Sequence, residues 1–277
     1  MNPDNDAISL PESDCPMQRA SQRPDQKSEA LGRGRLLRAS DVQRELPAHA
    51  PLAVILAWVN GFLARPHPDV GRPGPVCPFT PTALALDTIW LTEIDEPNTD
   101  RNTIVEAISR YREVFLEIEP RTGPMAINKT ILVVFPHLGG GAGKLLDAAQ
   151  SELKASFVDV GLMLGEFHAE NESPGLRNPD FRPLRSPVPM LAIRHMVESD
   201  LPFLRRTLDA PNVRASYLRS YLRRLGSTIR ARYFDQAVTA LADAIHATAA
   251  KPKPRAAAAK SAPTSTKERV ADDTATD

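Results

Sequence analysis

The run from Thr130 to Phe135 (TILVVF) constrains this chain more than any other stretch. Successive side chains of a strand point to opposite faces, so an apolar run without alternation needs cover on both. A strand buried on both faces belongs inside a sheet that has layers packed on each side. The chain therefore reads as α/β, with α+β as the alternative.

The flanking segments supply those layers. Asp87–Ile94 (DTIWLTEI) is β-branched and aromatic and reads as a strand. A helix fits Asn102–Ile118, capped by Thr99 or Asp100, with Ile104, Ile108, Phe115 and Ile118 facing in and Pro120 ending it. Gly139–Gly143 opens a second helix to about Val158, with Leu145, Leu146, Ala149, Leu153 and Phe157 as its apolar stripe. Leu162–His168 and Val188–Met196 are two further strands. Before them, a helix fits Ala50–Ala64. Helices over Leu201–Leu208, Pro211–Leu225 and Ser227–Thr248 close the domain. Between Gly71 and Pro81, four prolines exclude a helix and deliver Cys77 and Phe79 on a stiff backbone.

The expected architecture is a single domain over residues 40–249. About four strands form a mixed sheet with helices packed on it and a helical C-terminal extension. The middle β-α-β-α-β order predicts right-handed crossovers and some parallel pairing. Residues 1–38 and 250–277 are polar and without periodicity, and they are expected to be disordered tails.

Bulk properties narrow the function. Lys plus Arg and Asp plus Glu are both 34, so no global field draws the chain to nucleic acid. Aromatics at 5% argue against a base-stacking surface. No run reaches the roughly 18 apolar residues of a membrane helix, and the acidic N-terminus does not read as a signal peptide. With Cys15 in a tail and Cys77 in the domain, a structural disulfide is not expected, and the location reads as cytoplasmic.

Five groups of residues carry possible chemistry. Glu166 and His168 fall on one face of a strand at its C-terminal end, where α/β proteins bind ligands. Glu166 would orient His168 as a general base, or the imidazole is satisfied by a loop carbonyl. Cys77 is either an activated nucleophile or a small buried hydrophobe. Arg182, Arg185 and Arg194 read as a fork for a carboxylate or phosphate, with a structural ion pair between Arg194 and Glu166 as the other reading. The loop from Phe135 to Leu146 (FPHLGGGAGKLL) lies between strand and helix. It lacks the hydroxyl after Lys144 that a phosphate loop needs, and Lys144 replaces the last glycine of a dinucleotide fingerprint. Arginines crowd the last helices and present either a solvated face or a patch for an acidic partner. Zinc built from Cys77, His168 and His195 lacks any paired ligand spacing, so no metal or other cofactor is expected.

Cys77-Pro78-Phe79, Phe167-His168 and Arg185-Ser186-Pro187-Val188-Pro189-Met190-Leu191 together resemble a group of bacterial domains of unknown function. That pattern joins an N-terminal helix, a CPF box, a central FHP box and an RSPxPML box near a final strand. The resemblance covers roughly residues 50–208. Ala169 stands where the pattern has Pro, and Ala192 where some relatives carry a second His. It implies a single α/β domain, with Cys77, His168 and Arg185 as site residues, and supplies no reaction. The resulting expectation is a pocket lined by Cys77, Glu166, His168, Arg185 and Arg194 that holds a small anionic ligand, with or without catalysis. An interaction protein using the basic C-terminal helices is the alternative.

Overall fold

The computed structural model describes residues 34–96 and 99–250. Its elements in order are β1 (Leu37–Arg38), α1 (Ala39–Glu45), α2 (Pro51–Trp58), α3 (Thr80–Ala85), β2 (Ile89–Glu93), α4 (Arg101–Glu117), β3 (Thr130–Val134), α5 (Ala142–Asp159), β4 (Leu162–Phe167), β5 (Met190–His195), α6 (Leu201–Leu204), α7 (Pro211–Leu225) and α8 (Ala231–Ala249). A π-helical turn, Val59–Leu63, continues α2.

The strands form one mixed sheet in the order β1-β2-β3-β5-β4. β2 and β3 pair in parallel, while β5 pairs antiparallel with both β3 and β4. β4 consequently runs parallel to β2 and β3. The C-terminal ends of all three strands reach the same rim, and the site described below lies there.

Alternation along β3 explains its apolar run. Ile131 and Val133 pack with Trp90, Leu162, Leu164, Leu191 and Ile193 against α4 and α5. Leu132 and Val134 join Ile89, Leu91 and Met190 on the other face, under α1 and α2. These four β3 side chains are all buried. Beyond the β4 edge, α6, α7 and α8 enclose a third cluster around Met163, Met196, Leu218 and Tyr221.

The observed elements adjust the expected ones. The sheet has five strands because Leu37–Arg38 pairs with β2, a two-residue strand too short to show a period. Residues 34–38, expected in the tail, are placed, and Leu36 and Leu37 are buried. α1 was not expected. The proline-rich segment is non-helical only to Phe79. Pro81 sits in the first turn of α3, where its missing N–H leaves no helical bond unmade. The helix expected from Leu201 ends at Leu204, and the last helix starts at Ala231 rather than Ser227. Residues 1–33 and 251–277, which include Cys15 and most of the expected tails, lie outside the described residues. No helix of the described residues is long and apolar enough to cross a membrane.

The ends of α4 show how the helices are held. Asp100 caps the N-terminus by accepting from the Thr103 N–H at 2.8 Å, which keeps its carboxyl below the usual range. At the other end, Lys129 is 0% exposed. Its Nζ donates to the Phe115 and Ile118 carbonyls, each at 2.7 Å, and lies 4.5 Å over the Phe115 ring. Helix C-termini leave carbonyls unpaired and favour a cation, so a lysine here closes α4 from inside the core. Burial pulls the amine down to about 8.

Lys129→Met removes both donors and is expected to cost roughly 2–4 kcal/mol at pH 7, read from denaturant unfolding. The folded amine loses its proton near 8 and the unfolded one near 10.5. In that window the unfolded chain binds more protons, so wild-type stability rises with pH. The variant lacks this rise, and the gap between the two proteins widens from pH 8 to 10.5.

Candidate functional site

The site lies where β4 leaves the sheet beside the start of α5. Glu166 follows Leu162 and Leu164 on the α5 face of β4, opposite Leu191 of β5. Gln150 of α5 donates to the Leu164 carbonyl at 3.0 Å, which fixes helix against strand. One residue past the strand, His168 is 5% exposed. Its Nε2 lies 3.1 Å from Asp147 Oδ1, one turn before Gln150 on α5. A carboxylate only accepts, so Nε2 donates to Asp147. Nδ1 is buried without a hydrogen-bond partner. It rests on Gly143 in the first turn of α5, where a Cβ would stand 2.6 Å from Nδ1 and 2.7 Å from Cε1.

The chain after β4 folds back on this anchor. The His168 N–H donates to the Leu184 carbonyl at 3.3 Å, and the Asn171 amide to the Glu166 carbonyl at 3.2 Å. Between α5 and this loop opens a cleft of about 390 Å³ lined by Asp147, Gln150, Ser151, Glu166, His168, Glu170, Asn171, Glu172 and Ser173. Its lining holds four carboxylates and one imidazole, with no lysine or arginine. Burial pushes the Glu166 carboxyl above its usual range. Its own backbone N–H opposes this, and the like charge of Asp147 adds to it. Glu172 goes the other way, held low by hydrogen bonds from Arg182 and Arg185.

The expected site residues separate into two groups. Glu166 and His168 share the cleft. Arg182 and Arg185 both pair with Glu172 at its edge, and Arg185 Nε also donates to the Asn171 carbonyl at 3.1 Å. Arg194 lies on the opposite face of the sheet, in line with Met190 and Ala192, across from Met163. The ion pair expected between Glu166 and Arg194 is therefore absent. Arg194 instead donates to both oxygens of Asp200, at 2.6 and 2.7 Å. Asp200 is 2% exposed and also accepts the Val197 N–H. Cys77 belongs to this second face. Its N–H donates to the Leu63 carbonyl at 2.9 Å, and its side chain lies on the Arg194 side of the sheet.

The other groups are also accounted for. His195 packs edge-on to Phe115 with ring centroids 4.9 Å apart, and burial lowers it to about 4. It meets neither Cys77 nor His168. Among the described residues, no group of three or more His, Cys, Asp or Glu could hold a metal ion. Gly139, Gly140 and Gly141 line an open turn into α5, with Gly141 at φ +93° as its N-cap. Several arginines of the last helices close other elements: Arg223 and Arg224 bind Asp159, Arg230 binds Glu198, and Arg214 donates to the Asp209 carbonyl. The residue that sequence reasoning missed is Asp147. Its signal was its place one turn after Gly143, on the face that gives His168 room.

Gly143→Ala is expected to displace the His168 ring, lengthen its contact with Asp147 and cost roughly 1–3 kcal/mol, read from melting and from the imidazole NMR signals. Glu166→Gln should act in the opposite direction. A carboxyl whose folded pKa is raised is ionised at a cost above the unfolded value of 4.5, so wild-type stability falls as pH rises through that window. The variant should melt higher than wild type at pH 7, and the advantage should shrink at pH 4.

No curated protein and no solved structure matches the chain. One family model does, over residues 52–236, a span that runs from α2 into α8 and takes in both sides of the cleft and every strand except β1. The chain belongs to the family described as Domain of unknown function (DUF6875).

Proposed function

We propose that this protein is a binding domain whose acidic cleft takes a small cationic ligand, an organic amine or a basic side chain. The observation that carries this reading is the lining itself: Asp147, Glu166, Glu170 and Glu172 face one cleft of about 390 Å³ that contains no basic side chain except His168. Arg182 and Arg185 already neutralise Glu172, and the His168 Nε2–H serves Asp147. That leaves Glu166, half-buried and ionised at a cost, beside Glu170. An ammonium group between them would offset that cost, because desolvated charges are favourable only when paired.

Catalysis finds less support. Cys77 is on the other face of the sheet, and Nδ1 of His168 is sealed against Gly143. Ser151 and Ser173 line the cleft with His168, but among the described residues no hydrogen bond joins a hydroxyl or thiol to that imidazole, the contact covalent chemistry requires. The small anionic ligand expected from the arginines is also less favoured, because Arg182, Arg185 and Arg194 are engaged by Glu172 and Asp200.

The test is a thermal-shift and calorimetric comparison of diamines and triamines with dicarboxylates and phosphate esters at matched ionic strength. An amine at about 100 times its Kd should stabilise the fold by roughly 2.7 kcal/mol. Binding should tighten as pH rises through the Glu166 ionisation, and Glu166→Gln should abolish that pH dependence. Stabilisation by the anions and none by the amines would reverse the assignment and return the site to the arginines.

A further inference from the structure

The helix that ends the described chain carries more apolar surface than the fold uses. α8 packs on α7 through Ala237, Ala240, Leu241 and Ala244. A neighbouring stripe, Phe234, Val238, Ala242 and Ile245, points outward. Phe234, Val238 and Ile245 are 43%, 43% and 41% exposed, and none of the described elements covers them. At 100° per residue the two stripes merge into an apolar arc of about 200°, twice what a surface helix needs to seat on a core. The match to the family model ends at residue 236, so most of this stripe is a feature the chain carries beyond the family domain.

We infer that the outward stripe of α8 is the surface on which two copies of this chain pair, with the two α8 helices antiparallel across a twofold axis. The spacing is self-complementary. Phe234 and Ile245 stand equally far from a centre between residues 239 and 240, and Val238 lies beside it. An antiparallel pair therefore sets Phe234 of one copy beside Ile245 of the other, the reciprocal contact a twofold interface requires. Ala242, the small residue of the same stripe, lets the backbones approach.

Charge supports the same occupant. Antiparallel helices oppose their dipoles favourably, and each pair of ends brings Asp235 of one copy near His246 of the other. The chain has equal numbers of acidic and basic side chains, so two copies do not repel at long range. A bilayer suits the stripe less well. Membrane-surface helices carry lysines and arginines beside the apolar face, whereas Asp235 stands there in α8. The stripe from 234 to 245 is roughly 17 Å long. It supplies less than the ~800 Å² per partner of a standard interface, so the dimer is a weak one that dissociates on dilution.

Sedimentation velocity of the full chain from about 1 to about 500 µM reads this directly. The weight-average mass should climb from one chain toward two. Val238→Glu places two carboxylates beside the axis and should weaken pairing at least tenfold, while far-UV dichroism and melting, measured on the same sample, stay unchanged because the site is exposed. A chain that stays monomeric throughout overturns the proposal. So does a dimer that Val238→Glu leaves intact, which would place the contact on another face. A monomer that co-sediments with anionic vesicles through the same stripe would give the surface to lipid instead.

Discussion

β5 is hydrogen-bonded along both edges, to β3 on one side and β4 on the other, with both ladders antiparallel. The chain lays down β2, β3 and β4 in one direction and leaves a strand's width open between the last two. Until β5 fills that gap, β3 has one unpaired edge and β4 has none of its ladder. An unpaired buried backbone group costs as much as a lost hydrogen bond, so the sheet is incomplete without β5. Phe167 at the end of β4 pairs with Met190 at the start of β5, so a short hairpin would connect the two strands. The long loop between them instead folds back on the rim, where it hydrogen-bonds to Glu166 and His168.

The same insertion decides which reactive side chains meet. Strand period is 2, so the register that sets Leu191 opposite Glu166 also sends Arg194 to the far face, where Asp200 receives it. Once β5 is in place, the sheet lies between Cys77 with Arg194 and Glu166 with His168. Asp147 comes to His168 from α5 because the crossover from β3 to β4 carries that helix over the same face. Gly143 is required at their junction because the imidazole occupies the space a Cβ would need. The result is a cleft whose charge is negative, although its loop residues Glu170 and Glu172 stand shortly before Arg177, Arg182 and Arg185 in sequence.

Two buried charges close elements: Lys129 takes the last carbonyls of α4, and Asp200 binds Arg194 and the Val197 N–H where β5 turns into α6. At the surface, Arg223 and Arg224 hold the end of α5 at Asp159. Glu166 differs from these groups. It is half-buried and forms no ion pair among the described residues, with only the weaker fields of Arg206 and His168 favouring its charge, and it faces open volume.

The sequence by itself determined the α/β class, the order of the long elements and the doubly buried β3, because those follow from local periodicity and from caps such as Asp100. It also placed Glu166 and His168 together, since two residues apart on a strand is a local relation. It did not disclose β1, whose two residues carry no period, nor the tolerance of Pro81 within a helix turn. Only the tertiary structure decided that β5 runs antiparallel between β3 and β4, that Arg194 answers Asp200, and that Asp147 rather than Cys77 stands beside His168. Those facts depend on strand register and on which face a crossover helix covers. Both are set by pairing between segments tens of residues apart, which local patterning cannot specify.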